Sequence, residues 1–262
     1  MEYNIQNGFE KRLLDTGKEN SMILHVPANT HASLLVNYQG EGNSLAIELK
    51  LEEHSSLTIM FKNEGIKNIH VQMKADIYKD ASLTAAFCEL NPGSTKADIR
   101  VSLLETGAYA MLRSACIVKD KKDFTMQCDH MAPHTQGFME NYAVVETSAA
   151  YRMEATGKII KGAYESNSHQ KTRVLTMSEE HNSEVIPVLL IDENDVKASH
   201  ATTVGQPDEN QLYYLQTRGL SRTQALGLLT VGYIMPIAEL FDDEEIRNEM
   251  KNEIETKVGL HA

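Results

Sequence analysis

Residues 45–87, LAIELKLEEHSSLTIMFKNEGIKNIHVQMKADIYKDASLTAAF, decide the fold. Leu45, Ile47, Leu49 and Leu51 alternate with polar partners, as do Ile69, Val71, Met73, Ala75 and Ile77, and that is the period of a half-buried strand. Within the stretch, His54-Ser55-Ser56-Leu57 and Asp80-Ala81-Ser82-Leu83 each open such a run. Outward from it the same pattern recurs at His31-Ala32-Ser33-Leu34 and at Gly107-Ala108-Tyr109-Ala110, so the starts fall 23, 26 and 27 residues apart. Strands returning at that interval, with small residues at each corner and Asn91-Pro92-Gly93 between rungs, predict a mainly β solenoid, a right-handed parallel β-helix. An ordinary β-sandwich carries the same alternation and is the competing architecture.

The helical period begins only near residue 207. Pro207, Asp208 and Glu209 suit a first helical turn, Leu212 and Leu215 share a face, and Gly219 is placed to end it. Ser221 and Gln224 form a capping box, with Ala225, Leu228 and Leu229 as the next apolar stripe, and Pro236 ends or kinks that helix. Ile246, Met250, Ile254 and Val258 mark a last helix with Gly259 as its stop. Ten acidic against five basic residues give this segment an acidic surface. The division expected is a β-helix core over residues 1–206 and a C-terminal helical subdomain over 207–262.

With 262 residues, 42% of them hydrophobic, the chain can build a real core. A net charge of −12, with 25 basic residues scattered among 37 acidic ones, argues against a nucleic-acid partner. No secretory leader opens the sequence and no apolar run approaches the roughly 20 residues of a membrane span, which predicts a cytoplasmic protein with no membrane role. Val185 to Ile191 reads as a short buried strand. Cys88, Cys116 and Cys128 have no CxxC spacing and read as small buried hydrophobes of a reducing compartment.

Catalytic signatures are missing: Gly17-Lys18 is not a phosphate-cradling loop, and there is no HExxH, GxSxG or CxxC. A non-enzyme is expected. The residues able to do chemistry are imidazoles. His200 can be an uncharged metal ligand near neutral pH, and Cys128, His130 and His134 form a C-x-H-x-x-x-H group. Pro133 makes a regular helix through that group untenable, so the spacing alone does not aim both imidazoles at one point. Asp192, Glu193 and Asp195 admit a different class, a β-helical polysaccharide enzyme, which the absence of Trp disfavours.

The run Asp192 to Arg222, DENDVKASHATTVGQPDENQLYYLQTRGLSR, resembles the C-terminal signature of the SufB/SufD family of iron-sulfur cluster assembly proteins. The matching positions include Asp195, Lys197, Ser199, His200, Val204, Gly205, Leu212, Tyr213, Tyr214, Arg218 and Gly219. The MQCDHMAPHTQG segment, Gly157-Lys158-Ile159 and the run from His169 to Glu179 are similar to further family segments. The resemblance implies a non-enzymatic scaffold subunit, with His200 at a joint between two core subunits. It also implies a helical tail that docks a SufC-like ABC ATPase, Tyr213, Tyr214 and Arg218 being the anchors. The partner at the joint would be a second copy or a SufB-like paralogue. No cofactor would be permanently bound, only transient iron or an iron-sulfur cluster. Thr172 stands where the SufB branch has a cysteine and Ala201 where it has a glutamate, while SufD-type sequences often carry a cysteine at the position of Ala198. The first two departures make the chain look closer to SufD in this region, the third departs from SufD as well, and a purely structural subunit that binds no iron stays open.

Overall fold

Asn29, His54, Asp80, Gly107, His134 and Glu165 all hold a left-handed backbone, with φ of 59°, 57°, 52°, 78°, 58° and 54°. Each is followed by a small residue that is buried: Thr30, Ser55, Ala81, Ala108, Thr135 and Ser166. They stack, the amide of Asn29 donating to Glu53, His54 to Lys79, Asp80 to Thr106, His134 to Tyr164 and Glu165 to Asp195. One corner therefore repeats up the molecule, spaced 25, 26, 27, 27 and 31 residues. The first corner is at Asn29, two residues before the repeat start expected at His31.

The molecule is a computed structural model, which describes residues 2–241 and 244–258. One eight-stranded sheet contains β1 (Glu2–Asn4), β3 (Ser21–Val26), β5 (Ser44–Leu51), β7 (Asn68–Ile77), β9 (Ser94–Leu103), β11 (Lys121–His130), β13 (Ala150–Ile159) and β15 (Asn182–Ile191). The other contains β2 (Gly8–Asp15), β4 (His31–Gln39), β6 (Ser56–Asn63), β8 (Ser82–Glu89), β10 (Tyr109–Val118), β12 (Gln136–Val145), β14 (Ser166–Thr176) and β16 (Val196–Gly205). The paired strands are parallel, and consecutive strands lie in opposite sheets. That arrangement is a β-helix and removes the sandwich. Alternate residues from both sheets fill the interior, among them Leu83, Ala85 and Phe87 facing Phe124 and Met126, with Phe61 stacked on Phe87 at 5.4 Å.

After Gly205 come α1 (Glu209–Thr217), α2 (Arg222–Ile234), a 3-10 segment over Met235–Leu240 and α3 (Glu244–Lys257). Asp208 caps α1 through the amide of Asn210, and Ser221 and Gln224 make the expected reciprocal capping box on α2. Gly219 takes φ 93° between them. Pro236 lies in the 3-10 segment, where the α-helical bonding stops. The stop expected at Gly259 lies outside the described residues.

The helices cover the outward face of the even-strand sheet. Leu35, Met60, Ala86, Ala115, Ile117 and Val144 share a second core there with Val231, Ile234, Ile246, Met250 and Ile254. The buried Lys62 on β6 bonds Glu253 of α3 at 2.6 Å, which pins the last helix to the sheet. On α2 the stripe expected through Leu228 is rotated, since Ala225, Gly227, Thr230, Val231 and Ile234 are buried and Leu228 faces outward. The segment Arg222–Leu240 reaches 19 residues at a mean hydropathy of 1.2, enough by length and composition to cross a bilayer. In this fold its apolar side packs on the solenoid.

Candidate functional site

The two ends of the solenoid are built differently. At the first end, β2 carries Glu10, Lys11, Arg12 and Asp15. Arg12 donates to Glu10 at 3.0 Å, its guanidinium stacks 4.0 Å over Tyr3, and Lys11 pairs with Glu249 of α3 at 3.1 Å. Charges on an edge strand block further strand pairing, so this end is closed.

The other end carries fewer charges. On β16 the only ionisable side chains are Lys197 and His200, and the strand is exposed over most of its length. Its partner β15 reads NSEVIPVLLI, with Leu190 49% and Ile191 39% exposed, and Val204 of β16 is 45% exposed. The strand expected to be buried at Val185–Ile191 is therefore an edge, which also explains why Pro187 is tolerated in it. Val185, Pro187, Leu189 and Ile191 continue the interior columns of the coil below, over Met153, Ala155, Gly157 and Ile159, and among the described residues no further coil covers them; Leu190 faces outward beside Lys158.

His200 sits on this uncapped edge. Register pairs Ala198 with Ser168, His200 with Gln170 and Thr202 with Thr172, and all three partners on β14 are buried. The exposed imidazole thus stands over the solenoid's interior. Its own column runs down through Gln170, Met139 and Leu112, and the polar file lies in the next column, beneath Thr202, where Ser114 donates to Asn141 at 2.7 Å and Asn141 donates to Thr172 at 3.5 Å. Ala201 is exposed and alternates to the other side of the strand.

The group Cys128, His130 and His134 is divided. His134 is a left-handed corner residue on the surface, 3.2 Å from Glu165 and edge-on to Tyr164. His130 ends β11 and is fully buried, with Nδ1 2.8 Å from the Thr135 hydroxyl. Cys128 lies beside it in the interior. Burial pushes the Cys128 thiol up to about 12 and the His130 imidazole down to about 4, so both are neutral near pH 7. Cys88 and Cys116 are likewise free and buried, as expected for small hydrophobes. Among the described residues no group of three or more His, Cys, Asp or Glu side chains is arranged to hold a metal. Glu193 is engaged in a turn, accepting from the amides of Gly162 at 2.9 Å and Asn194 at 2.8 Å.

The tail anchors diverge from core packing. Leu212 is the buried residue of α1, whereas Tyr213 and Tyr214 are 70% and 57% exposed. Arg218 lies 5.3 Å from the Tyr214 ring, and a shallow depression runs beside it along Asn210, Leu215 and Leu229.

One cluster was not anticipated from the sequence. Deep inside the solenoid, Lys122 donates to Glu89 at 2.9 Å, to Asn91 at 3.2 Å and to Thr95 at 3.0 Å. Glu89 also accepts from Tyr38, Asn63 at 3.1 Å, Asn91 at 2.9 Å and Thr95 at 2.6 Å. Burial pushes the Glu89 carboxyl up, but Lys122 and the bonds from Thr95 and Tyr38 outweigh it and hold the group below its usual range. The signal was present: Lys122 has the same strand parity as Phe124, Met126 and Cys128, and Glu89 the parity of Ala85 and Phe87.

Comparison with known proteins places these features in context. Residues 10–233 match the family described as SUF system FeS cluster assembly, SufBD core domain. The iron-sulfur cluster assembly protein SufD of Bacillus subtilis (strain 168) is 32% identical over 182 residues, covering 69% of this chain and 42% of that protein. SufB of the same organism is 24% identical over 133 residues, 50% of this chain and 29% of SufB. A SufBD family protein of Mycobacterium tuberculosis (strain ATCC 25618 / H37Rv) is 30% identical over 133 residues, covering 50% of this chain and 16% of its own length. The chain thus spans less than half the length of each of these relatives.

Proposed function

The chain belongs to the SufB/SufD family of iron-sulfur cluster assembly proteins, and from that premise we propose that it acts as a non-catalytic, SufD-like scaffold subunit in the cytoplasm. Its uncapped coil, β15 and β16, joins a second solenoid of the family, either another copy or a SufB-like paralogue. The exposed face of α1 docks a SufC-like ABC ATPase. Iron or a cluster is cargo at the joint, handled beside His200 and not permanently held.

The observation that carries this reading is the asymmetry of the ends. At the β2 edge the charged Glu10 and Arg12 stand in the interior columns, while at the other edge the interior columns end in the exposed apolar Ile191 and Val204; the exposed Phe9 and Leu13 of β2 and Leu190 of β15 belong to the outer faces. A buried aliphatic side chain of this size contributes roughly 1.5–3 kcal/mol, so joining two such ends is strongly favourable. The tyrosines support the second contact, because aromatic side chains are favoured in interface cores. Truncating residues 207–262 is a poor test of docking, since the helices also cover the apolar face of the even-strand sheet.

A crossed experiment separates the two contacts. Val204→Glu is expected to weaken association of the solenoids by at least about 100-fold, because a carboxylate is desolvated at the joint. It should leave capture by the ATPase intact. Tyr213→Ala with Tyr214→Ala should do the reverse. Sedimentation and co-purification read both, and Val204→Glu associating like wild type would remove the joint from this end.

The departures at Thr172 and Ala201 favour a second reading, a subunit that shapes the joint without touching iron, because thiolate is the usual holder of such clusters. His200→Ala distinguishes the two. A scaffold that handles iron loses maturation of iron-sulfur enzymes in cells while its complex still assembles. Unchanged maturation favours the structural role.

A further inference from the structure

Cys128 and His130 are consecutive interior residues of β11, and both close over Gly137 of the facing sheet. A methyl group built on Gly137 would meet Cys128 Sγ at 2.6 Å and His130 Nε2 at 2.8 Å, so only glycine lets the two groups approach this point. The imidazole is oriented from its far side. Thr135 Oγ1 lies 2.8 Å from Nδ1, 2.8 Å from Ser166 Oγ and 3.2 Å from the carbonyl oxygen of Ala132, a network that fixes the ring from its Nδ1 side. Nε2, on the opposite side, is fully buried and without a hydrogen-bond partner. An unsatisfied buried nitrogen of this kind costs roughly 1–3 kcal/mol.

We infer that Cys128 Sγ and His130 Nε2 form a two-donor site for a soft monovalent cation, with cuprous ion as the matching species. Soft thiolate selects cuprous ion and imidazole suits copper, so both donors match it. Charge selects the valence. On binding, the thiol releases its proton to solvent and the thiolate bonds the cation, so a monovalent ion gives a neutral centre. A divalent ion with the same donors would leave one uncompensated positive charge in an apolar interior, which is costly. Among the described residues no third His, Cys, Asp or Glu is grouped with these two, which suits two-coordination. The Thr135 bond supplies the orienting contact that ligating histidines use. Towards the open end the adjoining interior positions are small, Gly157 beside Cys128 in one sheet and Ser168 then Ala198 beyond Gly137 in the other. This site is distinct from the joint at His200 and does not depend on the scaffold reading.

The test uses the full chain with Cys88→Ala and Cys116→Ala, titrated anaerobically with Cu(I) against a chromophoric chelator. One equivalent is expected, with X-ray absorption showing one sulfur and one nitrogen neighbour. Affinity should rise about tenfold per pH unit between pH 6.5 and 8.5, because one proton leaves the thiol. Adding Cys128→Ala should lower affinity at least 100-fold, and adding His130→Gln at least tenfold. Absence of binding, retention of it without Cys128, or a shell without nitrogen would each overturn the site. The absorption measurement on the parent chain needs no variant at the site itself, so a variant that fails to fold leaves the test intact.

Discussion

Replacing Lys122 by methionine is expected to destabilise the fold by about 3–5 kcal/mol at pH 7.5, measured as a shift in urea unfolding at unchanged slope. The loss does not come from the ion pair's attraction alone. Glu89 is fully buried and accepts from Tyr38, Asn63, Asn91 and Thr95, so without the ammonium it is a carboxylate in an apolar interior with donors but no counter-charge. Two further results identify this cause. The deficit should shrink as pH is lowered towards 5, because Glu89 then takes up a proton and stops being charged. Adding Glu89→Gln to Lys122→Met should recover most of the stability at neutral pH, since the amide keeps an acceptor and carries no charge. A double variant no better than Lys122→Met would show that packing, not charge, sets the cost.

The second large effect is acid sensitivity from His130. Its imidazole is held neutral by burial, with a folded value of about 4 against an ordinary 6.5. The unfolded chain therefore binds the proton more readily, and this group's contribution is complete above pH 6.5 and lost as pH falls towards 4. The expected loss is about 2 kcal/mol at pH 5 and about 3 kcal/mol at pH 4. The chain has ten histidines, so this histidine's share is the part of the slope between pH 6.5 and 5 that its substitution removes. His130→Gln should flatten it, as read from unfolding free energies at half-unit intervals. An unchanged slope in that variant would assign the sensitivity elsewhere.

Much of the architecture was readable before any coordinates. The alternation at Leu45–Leu51 and Ile69–Ile77 became β5 and β7, and the coil length followed from small residues after each corner. The first coil was misplaced by two residues for a physical reason. What repeats at the corner is a left-handed backbone, occupied by Asn, His, Asp, Gly, His and Glu in turn, while the side chain at that position varies freely. The exposed strand bearing His200 was also legible, because its run reads directly into capped helices. The division of His130 from His134 was not. Pro133 indicated only that the two need not converge, and it took the turn at His134 to put one ring inside and the other outside. Lys122 and Glu89 are charged, and residue type alone places such side chains at the surface. Strand parity, which puts each in line with Phe, Met and Ala, was the decisive sign that they point inward.

The stacked corners have a consequence for dimensions. Each coil adds one strand spacing, roughly 4.8 Å, along the axis, and the helices are pinned to the flank by contacts such as Lys62 to Glu253. The span from that anchorage to the open mouth is therefore quantised. Gaining or losing a whole coil would move the mouth by one step without disturbing either terminus, whereas lengthening a single corner loop would leave the span unchanged. The fold behaves as a ruler with fixed graduations, and the reach of the molecule is set by counting turns.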